Sequence, residues 1–302
     1  MAERSAQRRS PLRVLAVYKK STYDIYVRER KHVRVQQLLD DGDHSVRNLR
    51  RAHERHKLAL QRARETMQAA GVKATFRHRS GPVGVEDFDL IVTLGGDGTL
   101  LWASHLAGAG LPMLAINTAP EDSIGFFAAG SGEQLADLLS EVQHGRLSET
   151  RLTRMSVDLD GQRVSARVLN DVLFAHHNPA ATTRFGLKFG DAWADYKSSG
   201  LWVSTAAGST GAIASAGGRT MRPGSRRLQF RVREPYLPKG AAAGPLQGFV
   251  QAGEQLEIVS HIRTARLYMD GPRELRPVDI GSRLTVAESD EPLSLLGFRP
   301  AG

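Results

Sequence analysis

The 302-residue sequence contains no cysteine. This absence excludes disulfide bonds, thiolate metal ligands and a cysteine nucleophile, and it is typical of the reducing cytosol, so we expect a cytoplasmic protein. The sequence also lacks any apolar run near the ~20 residues that a membrane-spanning helix needs, so we expect no membrane partner. The first ten residues have no apolar signal-peptide core, and we expect them to form a frayed tail.

Basic residues outnumber acidic residues, 41 to 32, which gives a formal net charge of +9. A charge of this sign suits a partner rich in phosphate, either a nucleic acid or a polyphosphate substrate. The arginine-rich stretch between residues 48 and 70 has no aromatic residues interleaved with its arginines. Because proteins that bind single-stranded nucleic acid stack bases on aromatic side chains, we expect nucleic acid to be the less favoured partner.

The first half of the chain alternates apolar runs with amphipathic stretches, which predicts an α/β domain over residues 1–148 with a parallel sheet. The predicted strands are 12–18, 72–76, 89–94 and 111–117. The predicted helices are 48–70, 99–108 and 132–147. Residues 19–50 are polar and basic, with a loop predicted at 40–43. In a parallel sheet of this kind, ligands bind at the carboxyl ends of the strands.

The second half, residues 149–302, consists of short alternating runs separated by turn residues, which predicts a β-rich, antiparallel domain. Met155–Leu159 followed by Asp160-Gly161 is a hairpin signal. Further strands are predicted at 167–174, 185–189, 201–205, 228–232, 255–260, 265–269 and 284–288. The apolar segment 293–298 is expected to pack back on the first domain.

The sequence Gly95-Gly96-Asp97-Gly98-Thr99 stops one apolar run abruptly and precedes another. This pattern predicts a buried strand, a tight turn and a helix N-terminus, where backbone N–H groups favour an anion such as phosphate. A carboxylate repels phosphate, so Asp97 indicates a group that handles a proton or a metal beside it. We expect Asp97 to be exposed in a cleft, so that the fold does not depend on its charge. Asn117 ends the next predicted strand and is expected at the same edge.

Two further polar stretches interrupt strands in the second half. Asn170-Asp171 directly follows the apolar end of a strand, and residues 203–211 break into small and hydroxyl residues. Small residues let a ring or a phosphate approach the backbone, and hydroxyls supply hydrogen bonds. Taken alone, the first stretch is better explained as an ordinary turn, and the second is equally well explained as a flexible loop.

Together these stretches, with Asp270-Gly271, resemble the NAD kinases in order and rough spacing over nearly the whole chain. The glycine motif is shared with diacylglycerol kinases, sphingosine kinases and phosphofructokinases, so the other segments are what favour NAD kinase. Four further segments resemble the mitochondrial-type branch of that family: 18–23, 116–123, 197–201 and 232–235. Most of the family has Asn-Glu where this chain has Asn170-Asp171.

The resemblance implies a Rossmann-like first domain, a β-rich second domain and the fold shared by NAD kinases and diacylglycerol kinases. It implies ATP- and Mg²⁺-dependent phosphorylation of the adenosine ribose 2′-hydroxyl of NAD or NADH, with Asp97 as the catalytic residue, and a homodimer. No residue is assigned as a direct metal ligand. The residues expected to contact phosphates or nucleotide are Gly95, Gly96, Gly98, Thr99, Asn117, Asn170, Asp171, Ser204, Thr205, Gly208, Ser209 and Thr210.

Two other functions are compatible with the sequence. A kinase of the same fold could act on a lipid or another small alcohol, because this chain has Ser199-Gly200 where most bacterial NAD kinases have Asp-Gly, and Ala212 near the place of an aromatic residue. A non-enzymatic protein that binds nucleotides or nucleic acid would also account for the basic charge. Within the NAD kinase interpretation, the donor stays open between ATP and polyphosphate, and the acceptor between NAD and NADH.

Overall fold

The structure is a computed structural model that describes residues 10–79, 83–120, 124–237, 244–272 and 274–299, without the side chain of Glu274. Nine residues of the expected tail, and residues 121–123 of a segment that resembles NAD kinases, lie outside these ranges. The chain divides into two compact units. One runs to Glu149 and includes the segment that begins at Leu295, and the other spans Thr150–Ser294.

The described regions contain both α-helices and many short strands. The α-helices are α1 (Val33–Asp40), α2 (Leu49–Ala69), α3 (Asp97–Ser104), α4 (Leu135–Gln143) and α5 (Ala212–Ser215). The strands are β1 (Arg13–Tyr18), β2 (Lys73–His78), β3 (Leu90–Leu94), β4 (Met113–Asn117), β5 (Gly130–Ser131), β6 (Glu149–Leu152), β7 (Met155–Leu159), β8 (Gln162–Val168), β9 (Asp171–His176), β10 (Thr183–Phe189), β11 (Ala192–Ser198), β12 (Gly200–Ser204), β13 (Leu228–Arg233), β14 (Gln247–Val250), β15 (Gln255–Ser260), β16 (Ala265–Met269), β17 (Glu274–Val278), β18 (Arg283–Glu288) and β19 (Leu293–Leu296). Among these helices, none combines the length and the apolar character needed to cross a bilayer.

The first unit is built on a sheet with the strand order β2-β1-β3-β4-β19-β6, with β5 paired to β4. The pairs from β2 through β19 are parallel. Every residue of β3 and β4 is buried, as expected for parallel strands with both faces covered. The carboxyl ends of these two strands therefore lie side by side, and the Gly95 N–H donates to Ile116 O at 3.0 Å.

Helices occupy much of the polar stretch 19–50, and the sequence pattern did not predict them. A π-helix spans Asp24–Glu29, α1 follows, and a 3₁₀ helix spans His44–Val46. None of these three helices contains a buried residue. At six, eight and three residues, each helix is shorter than the window of about 11–18 residues over which apolar periodicity identifies a helix.

The second unit consists of two antiparallel sheets that share one hydrophobic core. Their strand orders are β11-β10-β15-β18-β7-β8 and β14-β13-β12-β9-β16-β17. Phe185 and Leu256 from the first sheet pack in the same cluster as Phe174 and Phe230 from the second. The α/β unit followed by a β-rich unit confirms the predicted fold class.

The predicted hairpin is present, because β7 and β8 are joined through Asp160 and Gly161, both at positive φ. The single strand predicted over 167–174 is wrong, since β8 ends at Val168 and β9 begins at Asp171. The strands β11, β14 and β17 were not predicted, and each lies at the edge of its sheet. An edge strand is less fully covered than a central one, so its apolar alternation is weaker.

Candidate active site

The predicted glycine turn joins β3 to α3, with Gly96 as the N-cap residue of the helix. Gly95 has φ +156°, and a Cβ added there would lie 2.5 Å from Thr99 Oγ1, so the turn requires glycine. The Thr99 side chain is only 2% exposed. Within the described ranges, Thr99 Oγ1 has no hydrogen-bond partner. The turn thus combines a helix N-terminus with an unsatisfied buried hydroxyl.

Asp97 is half-buried, and both of its carboxylate oxygens are engaged. Oδ2 accepts the backbone N–H of Phe126 at 3.0 Å, and Oδ1 accepts that of Phe127 at 3.1 Å. Asp97 is therefore less exposed than expected, and because it holds a loop 29 residues further along the chain, we expect its charge to contribute to stability. Each oxygen has a second lone pair, so the carboxylate can still accept the proton of a substrate hydroxyl.

Asn117 supports the same loop from the end of β4. It is 5% exposed, and its Oδ1 accepts the backbone N–H of Ala119 at 3.0 Å. Gly125 lies directly against it, with φ +63°, and a Cβ added at Gly125 would lie 2.4 Å from Asn117 Nδ2. In this geometry Asn117 positions the segment whose N–H groups hold Asp97.

Three further residues of the first unit belong to this site and were not predicted. Phe126 and Phe127 act through their backbone N–H groups, for which a sequence carries no signal. Arg79 directly follows β2, and its Nη1 donates to Gly98 O at 2.9 Å. Its place at the carboxyl end of a predicted strand was the one signal that could have identified it.

In the second unit, Asp270 organises the Asn170-Asp171 pair. Its carboxylate accepts the backbone N–H groups of Leu169 at 2.8 Å, Asn170 at 2.7 Å and Asp171 at 3.3 Å. The Asp270 N–H in turn donates to Asp171 O at 2.9 Å. Asp270 has φ +51°, a conformation that aspartate tolerates better than most residues. The predicted pair thus lies on a rigid backbone segment.

In this pair, Asn170 carries an unsatisfied polar atom and Asp171 a carboxylate with a shifted pKa. Asn170 Oδ1 is buried without a hydrogen-bond partner in the described part of the chain. Burial, and secondly the nearby charge of Asp270, together raise the pKa of Asp171 to about 7. A Cβ added at Gly211 would lie 4.0 Å from Asp171 Oδ2. Both groups can therefore bind a polar ligand.

The hydroxyl stretch lies against this pair through its backbone. Thr205 Oγ1 donates to Leu169 O and accepts the Gly208 N–H at 3.3 Å. A Cβ added at Gly208 would lie 2.2 Å from Asn170 O, so the two segments approach as closely as glycine allows. The structure therefore brings together Asn170, Thr205 and Gly208, as the sequence predicted for one site.

The remaining hydroxyls of the stretch differ in exposure. Ser204 and Ser209 are fully buried. Their Oγ atoms donate to backbone carbonyls, of Thr205 at 2.9 Å and of Ala206 at 2.7 Å respectively. Thr210 is exposed. Ser204 and Ser209 therefore stabilise the loop, whereas Thr210 is accessible to a ligand.

The acidic groups suit a metal that arrives with its phosphates. No cluster of three or more histidine, aspartate or glutamate side chains forms a potential cage within the described ranges. Asp97 is the one carboxylate in the glycine turn. Mg²⁺ typically keeps several waters and binds through one or two carboxylates plus substrate phosphates, so the turn fits that ion.

Comparisons with known proteins identify the family that this chain is similar to. Residues 12–147 match the family described as ATP-NAD kinase N-terminal domain. A probable NADH kinase from Oryza sativa subsp. japonica is 33% identical over 230 residues, which cover 69% of this chain and 70% of that protein.

Two solved structures have the same fold. An NAD kinase from Archaeoglobus fulgidus, in complex with ATP, superposes with a TM-score of 0.67 at 20% identity, covering 96% of this chain and 94% of that chain. A yeast NADH kinase complexed with NADH superposes with a TM-score of 0.67 at 18% identity, covering 95% of this chain and 84% of that chain.

Proposed function

Because this chain belongs to the NAD kinase family, we propose that it transfers the terminal phosphoryl group of ATP to the 2′-hydroxyl of the adenosine ribose of NAD. Family membership makes the chain a phosphotransferase that phosphorylates NAD. Neither the fold nor the relatives favour a lipid kinase or a nucleic-acid-binding protein. The observation that carries the more detailed proposal is the half-buried Asp97 carboxylate, held by two backbone N–H groups at the start of α3.

In the proposed reaction, the ribose 2′-oxygen attacks the terminal phosphorus of ATP. A bond forms between these two atoms, the bond from phosphorus to the bridging oxygen breaks, and ADP leaves. Asp97 accepts the proton of the 2′-hydroxyl on a free carboxylate lone pair. The N-terminal N–H groups of α3 and the Thr99 hydroxyl stabilise phosphate charge, since positioning and electrostatics supply most of the catalysis in phosphoryl transfer.

The proposal assigns nucleotide binding in the second unit to Asn170 and Asp171, with Thr210 as an accessible hydroxyl. The unsatisfied Asn170 Oδ1 supports this assignment, because a buried acceptor without a partner costs free energy that a ligand hydroxyl or amine restores. Ser204, Thr205, Gly208 and Ser209 then shape the loop around the nucleotide.

Mg²⁺ is proposed to accompany ATP. When bound, the ion neutralises charge on the donor phosphates. Asp97 is the residue of the glycine turn that would supply a carboxylate ligand, directly or through water, with the other ligands coming from phosphate and water.

NADH is proposed as a second acceptor. The rice relative is called a probable NADH kinase, and the yeast enzyme of the same fold was solved with NADH. The 2′-hydroxyl is the same in both redox forms, so the catalytic groups of the first unit do not distinguish them. A preference then depends on the residues that surround the nicotinamide ring.

The direct test is a matrix of donors and acceptors with the full-length protein. ATP and inorganic polyphosphate are each paired with NAD, NADH, a diacylglycerol and a sphingoid base, with Mg²⁺ present. Product is quantified with a dehydrogenase specific for NADP(H), which requires the 2′-phosphate. We expect product with ATP and both redox forms. Phosphorylation of a lipid acceptor without formation of NADP(H) would contradict the proposal.

We also propose that the protein is a homodimer, on the family resemblance, and that it is cytoplasmic, on the absence of cysteine. Analytical ultracentrifugation tests the first proposal, and a purely monomeric species at micromolar concentration would contradict it. Cell fractionation tests the second, and recovery in a membrane-enclosed compartment would contradict it.

A further inference from the structure

We propose that Arg79 binds the terminal phosphate of the phosphoryl donor beside the glycine turn. This inference rests on the proposed function, since it adds a phosphate ligand to the same site. Arg79 lies in the segment after β2, outside every motif that the sequence analysis identified. Three observations support the inference. The guanidinium is bound to Gly98 O, it has no ion-pair partner within the described ranges, and it lies beside a turn that contains the unpartnered Thr99 hydroxyl.

The guanidinium is held at the first turn of α3. Its backbone is fixed, because the Arg79 N–H donates to Tyr18 O, at the end of β1, at 2.8 Å. Its side chain reaches the glycine turn, where Nη1 donates to Gly98 O at 2.9 Å. Arg79 and Gly98 are both exposed, so a ligand from solution can reach them.

The electrostatics of this position disfavour a cation without a counterion. A helix N-terminus carries a partial positive charge, and a positive side chain beside it is destabilising. Asp97 does not neutralise Arg79, because no ion pair within the described ranges joins them and both Asp97 oxygens bind N–H groups of the 126–127 segment. No other carboxylate of the described chain lies within 4.0 Å of Arg79. Asp97 offsets the partial positive charge of the helix N-terminus, but the Arg79 guanidinium has no ion-pair partner of its own within the described ranges.

The free donors of the guanidinium suit a phosphate group. A guanidinium has five N–H donors, and Gly98 O uses one of them. The remaining donors lie in the planar fork that matches phosphate oxygens. Thr99 Oγ1, which is buried, unpartnered and directed at Gly95, is a second polar group of the same turn without a partner. A phosphate at the turn would satisfy both.

The alternative role for Arg79 is purely structural, as a link between β2 and α3. The two roles differ in their dependence on the ligand. If Arg79 contacts the terminal phosphate, its loss weakens the binding of ATP, which carries that phosphate, and leaves the binding of AMP, which lacks it, nearly unchanged. A structural link affects every nucleotide equally and lowers the melting temperature instead.

The test compares Arg79→Ala and Arg79→Lys with the wild type and with Arg77→Ala. Arg77 is also exposed and lies on β2, two residues before Arg79, so it controls for the loss of one positive charge. Dissociation constants for ATP, ADP and AMP are measured by calorimetry on the full chain, together with the melting temperature and the rate of NADP formation. Free guanidinium ion is added to Arg79→Ala as a rescue.

We expect Arg79→Ala to weaken ATP binding roughly 10- to 100-fold, as expected for loss of a charged hydrogen bond, and AMP binding less than about twofold. The ATP affinity of Arg79→Lys should lie between those of Arg79→Ala and the wild type, and Arg77→Ala should bind ATP as tightly as the wild type. Added guanidinium ion should restore part of the rate of NADP formation of Arg79→Ala. An equal loss for ATP, ADP and AMP, or unchanged ATP affinity, would overturn the inference. Failure of the wild type to form NADP would overturn the proposed function alone, because the nucleotide series still tests Arg79.

Discussion

The carboxylate of Asp97 accepts the backbone N–H of Phe126 at 3.0 Å, and its other oxygen accepts the next N–H along the chain. The candidate base of the reaction is therefore also the anchor of a loop. The same loop also packs closely against the Asn117 side chain, at Gly125. Asp97 and Asn117 are thus both in contact with the short segment 125–127, so we expect a change in either contact to affect both stability and turnover.

Asp97→Asn should destabilise the folded protein. The amide of asparagine presents an N–H to one of the two backbone donors, so one charged hydrogen bond is lost and replaced by a repulsive contact. We expect the free energy of unfolding to fall by about 1–3 kcal/mol, measured by urea denaturation. Asp41→Asn, at an exposed position of the same unit, is the control and should leave the midpoint unchanged. Equal stability of Asp97→Asn and the wild type would show that the hydrogen bonds from Phe126 and Phe127 to Asp97 do not stabilise the folded protein.

Gly125→Ala should disturb the same loop from the other side. The residue has φ +63°, and its new Cβ would lie 2.4 Å from Asn117 Nδ2. We expect a loss of about 1–3 kcal/mol in unfolding free energy, since strain and overpacking both act. The rate of NADP formation should also fall, because Asp97 loses its support. Gly110→Ala, where an added Cβ meets nothing within 4 Å, should change neither quantity. If Gly125→Ala and Gly110→Ala have the same unfolding free energy and the same rate, the close contact between Gly125 and Asn117 contributes to neither.

Thr205→Val should loosen the hydroxyl loop of the second unit. The valine keeps the shape of threonine but leaves Leu169 O and the Gly208 N–H without their partner. Loss of buried hydrogen bonds of this kind costs about 1–3 kcal/mol. Thr205→Ser retains the hydroxyl and should retain most of the stability, measured by thermal unfolding. If Thr205→Ser lowers the melting temperature as much as Thr205→Val does, the hydrogen bonds of the Thr205 hydroxyl do not stabilise this loop.

The stability of the ligand-free protein should depend on Asp171. Burial raises its pKa from 3.8 to about 7, so the folded chain holds this proton more tightly than the unfolded chain does. The contribution to stability is therefore greatest below about pH 4, falls as the pH rises to about 7 and is constant above that. Asp171→Asn removes the titrating group and should be more stable than the wild type at pH 8, by up to about 4 kcal/mol, and equal at pH 4.

Urea denaturation at a series of pH values measures this difference. Asp191→Asn, at an exposed aspartate of the same unit, is the matched control and should follow the wild type throughout. A constant difference between Asp171→Asn and the wild type across the pH range would show that Asp171 does not titrate in this interval.

The glycine turn was predictable because each of its parts has a local cause. The apolar run of β3, the positive φ of Gly95 and the start of α3 at Asp97 all follow from neighbouring residues. The Asp160-Gly161 hairpin was predictable for the same reason. By contrast, the bond from Arg79 to Gly98 and those from the 126–127 segment to Asp97 join residues 19 to 30 positions apart. Such pairings depend on sheet order, which no local pattern specifies.

The contacts of Asp270 are a second example of long-range pairing that no local sequence pattern predicts. Its carboxylate binds backbone N–H groups about 100 residues away, at Leu169 and Asn170. The sequence identifies the Asn170-Asp171 pair as polar residues after a strand. It does not identify which partner fixes their conformation, because β16 and β9 become neighbours only in the folded sheet.

The most direct measurement of the central claim is the rate of 2′-phosphorylation of NAD(H) by the wild type and by Asp97→Asn at saturating ATP and Mg²⁺, at a temperature where both are folded. Removing a general base typically costs 10²–10⁴-fold, so we predict a loss of at least about 100-fold in kcat while the variant still binds ATP. A variant that binds ATP and keeps most of the wild-type rate would contradict the assignment of Asp97 as the group that accepts the ribose proton.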